Sequence, residues 1–118
     1  MPQRLQRAQA LKIEHWDKSW GEVTEASMRQ RLESEGYSVA RYDYSPGTHF
    51  SDHTHGFDKK DAVVSGRLKI RAEGREFPLG PGDMLEIPAG TVHSAEVAGS
   101  ETVVSLDATK ILRSQLKS

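Results

Sequence analysis

The sequence predicts an all-β fold, a closed barrel or jelly roll, with a helix before it. From Tyr37 onward, short runs rich in Val, Tyr, Ile and Thr alternate with clusters of Gly, Pro and Asp, which is typical of strands joined by turns. About eight or nine such runs follow one another with no helical pattern between them. A closed arrangement is favoured because it leaves no long unpaired strand edge.

The predicted strands are bounded by turn sequences such as SPGT, EGRE, GPGD and PAG. They cover residues 37–44, 49–55, 61–65, 67–72, 77–79, 84–87, 92–97 and 102–107. We therefore divide the chain into an N-terminal extension with a helix (1–36), a barrel (37–107) and a C-terminal tail (108–118), which together form one domain.

Two helices are predicted outside the barrel. Residues 19–36 begin with a capping-box pattern, Ser19 with Glu22, and end on Gly36, which suits the left-handed position after a helix. Apolar side chains along one side of this segment predict that it packs on the barrel. The tail sequence ATKILRSQLK, residues 108–117, predicts a second, short helix.

The composition limits the classes of function. The 118 residues are 36% hydrophobic and 28% charged, with a formal net charge of −1. Such a balance lacks the single-signed field that attracts nucleic acid or anionic lipid, so neither is an expected partner. Without cysteine, a metal must be bound by nitrogen or oxygen. With no signal-like or membrane-spanning apolar stretch, we expect a cytoplasmic protein.

Three histidines lie within seven residues on a predicted strand, in the sequence HFSDHTH. Because side chains alternate along a strand, His49, His53 and His55 are expected to share a face. His53 and His55 are separated by roughly 6 to 7 Å along a strand, so both imidazoles can turn toward one metal ion at about 2.1 Å. His93, which follows the turn PAG, can complete such a site from across the barrel.

Two motifs resemble those of the cupin superfamily. Gly47, His53-Thr54-His55 and Gly66 match the first cupin motif, and Gly82, Pro88, Gly90 and His93 match the second as far as its histidine. The resemblance spans about residues 37 to 107. It implies a cupin double-stranded β-helix, that is, a jelly-roll barrel. It also implies a divalent metal ion held by His53, His55 and His93.

The sequence departs from the first motif at its glutamate, which supplies the fourth metal ligand in metal-binding cupins. Lys59 occupies this position. If Lys59 and Asp61 share the ligand-bearing face, burial and the metal would lower the lysine pKa and make Lys59 either a candidate base or a partner for an anionic substrate. In the simpler alternative, Lys59 extends from the barrel mouth and pairs with Asp58 or Asp61.

Other side chains are candidates for supporting roles. Asp58, Asp61 or His49 would be an additional metal ligand. Glu86 is either a general base facing the cavity or, as we favour, a solvent-facing strand residue. The same two alternatives apply to Asp107. An open three-histidine site suits zinc, iron, nickel, copper or manganese.

Two kinds of function remain open from the sequence. The first is a metal-dependent enzyme, of oxygenase, isomerase or decarboxylase type, that acts on a small organic molecule. The second is a non-catalytic sensor module that binds a small molecule without a required metal. Trp16 and Trp20 are expected to anchor a homodimer.

Overall fold

The computed structural model describes residues 11–110, which form two antiparallel sheets and one α-helix. The strands are β1 Lys12–His15, β2 Ser38–Tyr44, β3 His49–His53, β4 Asp58–Ser65, β5 Leu68–Ala72, β6 Arg75–Leu79, β7 Asp83–Ile87, β8 His93–Val97 and β9 Val103–Lys110. One sheet has the strand order β1-β7-β4-β9-β2, and the other has the order β3-β8-β5-β6. This architecture confirms the predicted all-β jelly roll.

The inner core lies between the two sheets. Apolar residues of β4, β7 and β9 pack against those of β5, β6 and β8 in one cluster. Its fully buried members include Val63, Ile70, Leu79, Leu85 and Val103. Burial of each such side chain contributes about 1.5 to 3 kcal/mol, so this cluster is the main reason that the sheets stay together.

The helix α1 spans Glu25–Ser34, so the prediction that it starts at Ser19 is wrong. Thr24 is its N-cap, and the reciprocal capping box joins Thr24 to Ser27. Ser19 instead lies in a short 3₁₀ turn, Lys18–Trp20, because the Asp17 carboxylate accepts its backbone N–H at 2.8 Å. The predicted end is confirmed, since Gly36 has a φ of +95°.

An outer core joins α1 to the outside of the five-stranded sheet. Met28 and Leu32 are fully buried there against Ala62, Met84 and Leu106. This placement confirms that the helix packs on the barrel.

Trp16 and Trp20 border the outer core and are half-buried within their own chain. Their rings meet edge to face at 5.1 Å, and the Arg31 guanidinium lies 3.2 Å from the centre of the Trp20 ring. Homodimerisation through the two tryptophans stays a prediction.

The ends of the barrel differ from the predicted bounds. β1, which the sequence pattern did not indicate, pairs with β7 through Ile13 and Leu85. β4 begins at Asp58 rather than at Asp61, and β9 continues to Lys110. The predicted C-terminal helix is therefore wrong for 108–110, and its remainder lies outside the described residues. No helix within residues 11–110 is both long and apolar enough to span a membrane.

Candidate functional site

The structure brings His53, His55 and His93 together at one end of the barrel. Their ring centres are 4.3 Å apart for His53 and His93, 4.9 Å for His53 and His55, and 5.2 Å for His55 and His93. His53 and His93 face each other across paired strands of the four-stranded sheet. Strand pairing thus places the two motif histidines side by side, although they are 40 positions apart in the sequence.

A β-bulge in β3 sets the direction of His53. Phe50 pairs with Ala95 and His53 with His93, so β3 advances by one residue more than β8 between these pairs. The extra residue reverses the alternation of side chains. Phe50 and His53 therefore both face the interior, whereas His49 is exposed and pairs with Glu96. The expectation that His49 shares the face of His53 is wrong for this reason.

Backbone contacts hold the loop of His55 against the turn before His93. The Gly90 N–H donates to the His55 carbonyl at 2.9 Å. The Ala89 N–H donates to Asp58 Oδ1 at 2.8 Å. Asp58 thus fixes the turn and does not belong to the histidine cluster.

The hydrogen bonds of the histidines leave the atoms that a metal needs. His53 Nδ1 lies 2.7 Å from the Ser51 carbonyl, and His93 Nδ1 lies 3.0 Å from the Thr91 carbonyl. A carbonyl only accepts, so both Nδ1 atoms carry the proton and both Nε2 atoms present a lone pair. His55 Nε2 is buried and has no hydrogen-bond partner among residues 11–110. A buried nitrogen without a partner is costly, and a metal ion would satisfy it.

The pKa values of His55 and His93 also suit metal binding, because a lowered pKa favours the neutral imidazole that binds a metal. Burial, together with the Lys59 ammonium, lowers the pKa of His55 to about 4. Burial likewise lowers the pKa of His93, although the bond to the Thr91 carbonyl opposes this effect. One potential ligand atom from each histidine lies within 4.8 Å of the others. Two ligands at about 2.1 Å from an ion are at most about 4.2 Å apart, so a small closure of the rings would bring all three into range.

A charged cluster lies on the β4 and β9 side of the same cavity. Lys59 Nζ is 3.3 Å from Asp61 Oδ1 and 3.4 Å from Asp107 Oδ2. Ser105 Oγ donates to the other oxygen of Asp107 at 3.0 Å. Lys59 is only 8% exposed, so its ammonium is enclosed rather than extended into solvent. We call Lys59, Asp61 and Asp107 the lysine–carboxylate cluster.

The pKa of Lys59 is raised, which reverses the expected direction. Burial alone would lower this pKa, but the nearby carboxylates of Asp61 and Asp107 outweigh burial. For Asp61 the balance is different: burial raises its pKa to about 6, although Lys59 acts to lower it. One ammonium shared between two carboxylates explains both directions. Lys59 is therefore held protonated, so it does not provide the free base considered from the sequence.

The histidines and the lysine–carboxylate cluster line one cavity of about 200 Å³. Its other walls are formed by Tyr44, Phe50, Leu68, Ala95 and Ser105. This volume is below the range of about 300 to 1,000 Å³ that is usual for drug-sized ligands. A small molecule or a few waters would fill it.

Glu86 does not reach this cavity. It shares the outer face of β7 with Met84 and lies opposite Lys60 and Lys12 in the sheet. This position agrees with the preferred alternative of a residue outside the barrel. Burial of Leu85 and Ile87 in the inner core shows the reason, because neighbours along a strand point in opposite directions.

Ser105 is a part of the site that sequence reasoning did not single out, and Asp107, for which a general base and a solvent-facing residue both stayed open, also lines the cavity. They are close to Lys59 only because β4 and β9 are hydrogen-bonded neighbours, with Lys59 opposite Thr109 and Asp61 opposite Asp107. A usable signal was present, since Ser105 and Asp107 are two apart on a predicted strand and therefore share a face. The sequence did not show which face this is.

Comparison with known proteins identifies the family. The Cupin domain family matches residues 40–109. No curated protein matches the chain. Among solved structures, the cupin domain of Cnp3 from Schizosaccharomyces pombe has a TM-score of 0.62 at 12% identity and covers 69% of this chain and 60% of that chain.

Two further structures share the fold at 22% identity. A cupin-2 domain-containing protein from Shewanella frigidimarina has a TM-score of 0.55, with 64% of this chain and 71% of that chain covered. A structure of DMSP lyases has a TM-score of 0.59, with 65% of this chain but only 40% of that chain covered. With the family match over more than half of its length, this chain belongs to the cupin superfamily.

Proposed function

We propose that this cupin binds one divalent transition metal ion through His53, His55 and His93, and binds a small organic molecule beside it. The observation that carries the proposal is the unsatisfied, buried Nε2 of His55, which lies next to two histidines whose Nδ1 atoms are engaged by carbonyls. The three residues would supply neutral nitrogen ligands, as zinc, iron, nickel, copper and manganese accept.

A metal at this position would polarise an oxygen atom of the bound molecule. The protein would contribute a small cavity and a charged cluster that orients the molecule. An oxygenase, isomerase or decarboxylase reaction is consistent with such a site, and the fold alone does not select among them. The likeness to DMSP lyases supports an enzymatic role for the fold and does not assign the substrate.

The test is the metal content of the purified chain and of matched variants. Wild-type protein should bind about one equivalent of zinc or another divalent transition metal, measured by elemental mass spectrometry after refilling and dialysis. His53→Ala and His93→Ala should each weaken binding by at least about tenfold, because each removes one of three protein ligands.

His49→Ala is the matched control, because His49 lies on the same strand but is exposed and outside the cluster. It should retain wild-type metal content. If refilled wild-type protein holds no transition metal, or if His49→Ala loses as much metal as His93→Ala, the proposal is wrong.

The second candidate is a binding module that requires no metal. Lys59 favours this alternative because a protonated amine stands where metal-binding cupins supply a carboxylate ligand. One experiment distinguishes the two functions. It compares the affinity of the same small molecule for metal-free protein and for protein reloaded with metal. Equal affinities would support the metal-independent module, whereas binding only to refilled protein would support the metal centre.

A further inference from the structure

The charges of the lysine–carboxylate cluster do not cancel. Lys59 contributes one positive charge, and Asp61 and Asp107 contribute two negative charges, all directed toward the cavity. The raised pKa of Lys59 keeps its amine charged. With both carboxylates ionised, the cluster bears one net negative charge, so it would repel an anionic group placed against it.

Lys59 is not available as an anion receptor. Its side chain is only 9% exposed, and its ammonium is already shared between two carboxylates. A carboxylate or phosphate of a ligand would have to displace Asp61 or Asp107, which would leave a buried aspartate without its counter-charge. This arrangement disfavours an anionic substrate paired with Lys59, which is one of the two roles that the sequence leaves open.

The buried oxygen Oδ1 of Asp61 has an ion pair but no directed hydrogen bond within residues 11–110. It is 3.3 Å from Lys59 Nζ, and no group in this part of the chain donates a directed hydrogen bond to it. An ionised carboxylate has about four acceptor positions, and an unsatisfied buried acceptor is costly. Asp61 lines the cavity, so a small rotation of its carboxylate would turn Oδ1 toward a hydrogen-bond donor on a bound molecule.

We propose that the cavity recognises a small molecule with two different ends. One end carries an oxygen ligand, such as a carboxylate, for the metal at the three histidines. The other end carries a hydroxyl group that donates a hydrogen bond to Asp61, and it does not carry a second acidic group. The substrate class is therefore a short hydroxy acid or a related polyol, within a cavity of about 200 Å³. This inference rests on the metal centre proposed above.

Three short probes test the inference on the full chain loaded with zinc. They are 4-hydroxybutanoate, pentanoate and succinate, which share a carboxylate end and differ at the far end by a hydroxyl, a methyl or a second carboxylate. Titration calorimetry should show 4-hydroxybutanoate binding about tenfold more tightly than pentanoate, because a hydrogen bond to a charged group is made only with the hydroxyl. Succinate should bind more weakly than 4-hydroxybutanoate.

Asp61→Asn then shows whether Asp61 is responsible. The variant removes one negative charge with little change of volume, so succinate should bind more tightly than to wild type and the preference for the hydroxyl should shrink. His49→Ala, an exposed change on the strand of His53 and outside the histidine cluster, should keep the wild-type order of affinities. If Asp61→Asn does not fold, the order of the three probes on wild type still decides.

The possible failures are distinguishable because zinc is quantified first in each sample. A chain that does not hold zinc overturns the metal centre and the inference with it. A zinc-loaded chain that binds succinate or pentanoate as tightly as 4-hydroxybutanoate, or that binds none of the three, overturns only the inference about the ligand.

Discussion

Lys59 and Lys60 are consecutive, both are buried, and they serve opposite faces of the same strand. Lys59 is 8% exposed and Lys60 is 4% exposed. Lys59 points into the cavity, where it contacts Asp61 and Asp107. Lys60 points away from it and contacts Glu14 at 2.7 Å and Glu35 at 3.0 Å. Strand alternation therefore gives two lysines of similar burial entirely different surroundings.

The partners of Lys60 show that its role is structural. Glu14 belongs to β1, and Glu35 is the C-cap residue of α1. Lys60 thus ties the first strand and the end of the helix to the middle of the five-stranded sheet. The pKa of Lys60 is raised because bonds to the two glutamates outweigh burial. Both lysines are held charged by two carboxylates, yet only the carboxylates around Lys59 face a cavity with histidines.

The comparison teaches that the partners, rather than burial or pKa direction, separate a structural lysine from one at a functional site. Glu14 and Glu35 are about one third exposed, so water also solvates them. Asp61 and Asp107 are only 10% and 20% exposed. Replacement of Lys59 should therefore change the stability and the metal affinity, whereas replacement of Lys60 should change the stability alone and by less.

The largest effect is expected for Lys59→Met. The change leaves two poorly solvated carboxylates facing each other, and loss of one partner from a buried ion pair costs about 3 kcal/mol. Urea denaturation of metal-free protein should show this decrease in the free energy of unfolding. Lys12→Met, at an exposed position of β1, is the control and should change stability by less than about 0.5 kcal/mol.

The loss of unfolding free energy in Lys59→Met should also depend on pH. The pKa of Asp61 is raised from 3.8 to about 6 in the folded protein, and Lys59 acts to lower it. The folded state therefore binds more protons than the unfolded state in this window, so the stability that protonation provides is lost as the pH rises through it. Without Lys59 the loss should be larger and extend to higher pH. A deficit in unfolding free energy that is independent of pH would contradict the assignment to Asp61.

A smaller loss is expected for Lys60→Met, about 2 kcal/mol, because Glu14 and Glu35 remain partly solvated. The metal content should match that of wild type, since no atom of Lys60 lines the cavity. Denaturation and elemental analysis of the same preparation measure both quantities. Loss of metal in Lys60→Met would contradict the conclusion that only the cavity-facing side of β4 affects the metal site.

The free energy of zinc binding should differ by about 1.4 kcal/mol between Lys59→Met and Lys60→Met, which corresponds to a tenfold difference in affinity. Lys59→Met removes a positive charge close to the histidines, so its zinc affinity should exceed that of wild type by about this factor. The affinity of Lys60→Met should not change. Competition with a chromophoric chelator measures the zinc affinity of wild type and both variants. Equal affinities would indicate that Asp61 and Asp107 neutralise the charge of Lys59 so fully that it does not influence the ion.

The smallest effects are expected for Glu14→Gln and Glu35→Gln. Each change removes one of the two carboxylates around Lys60 and leaves the other, so stability should fall by less than about 1 kcal/mol. The double variant should lose more than the sum of the single variants, because Lys60 then has no counter-charge. Additivity in thermal or urea denaturation would show that the two contacts act independently.

Much of the barrel was predictable because turn residues and strand alternation are local features. Gly82 illustrates this, since it lies in the predicted turn GPGD and its φ is +91°. The start of α1 was not predictable from the Ser19 pattern, because Asp17 caps a separate 3₁₀ turn that contains Ser19, whereas Thr24 caps the helix together with Ser27. β1 was missed because four residues form a strand only by pairing with β7.

The candidate site shows the same division. The motif spacing predicted the meeting of His53, His55 and His93, whereas the bulge that excludes His49 arises from the pairing of β3 with β8. A bulge depends on the partner strand and leaves no period in the sequence.

By itself, the sequence determined the fold family, the three histidines and the replacement of the usual glutamate by Lys59, because these depend on residue type and spacing along one chain. Only the tertiary structure decided what Lys59 does. Its partner Asp107 is 48 positions away and becomes a neighbour through the pairing of β4 with β9. Charge balance, burial and cavity volume arise from such long-range contacts, so they exist only once the two sheets have closed.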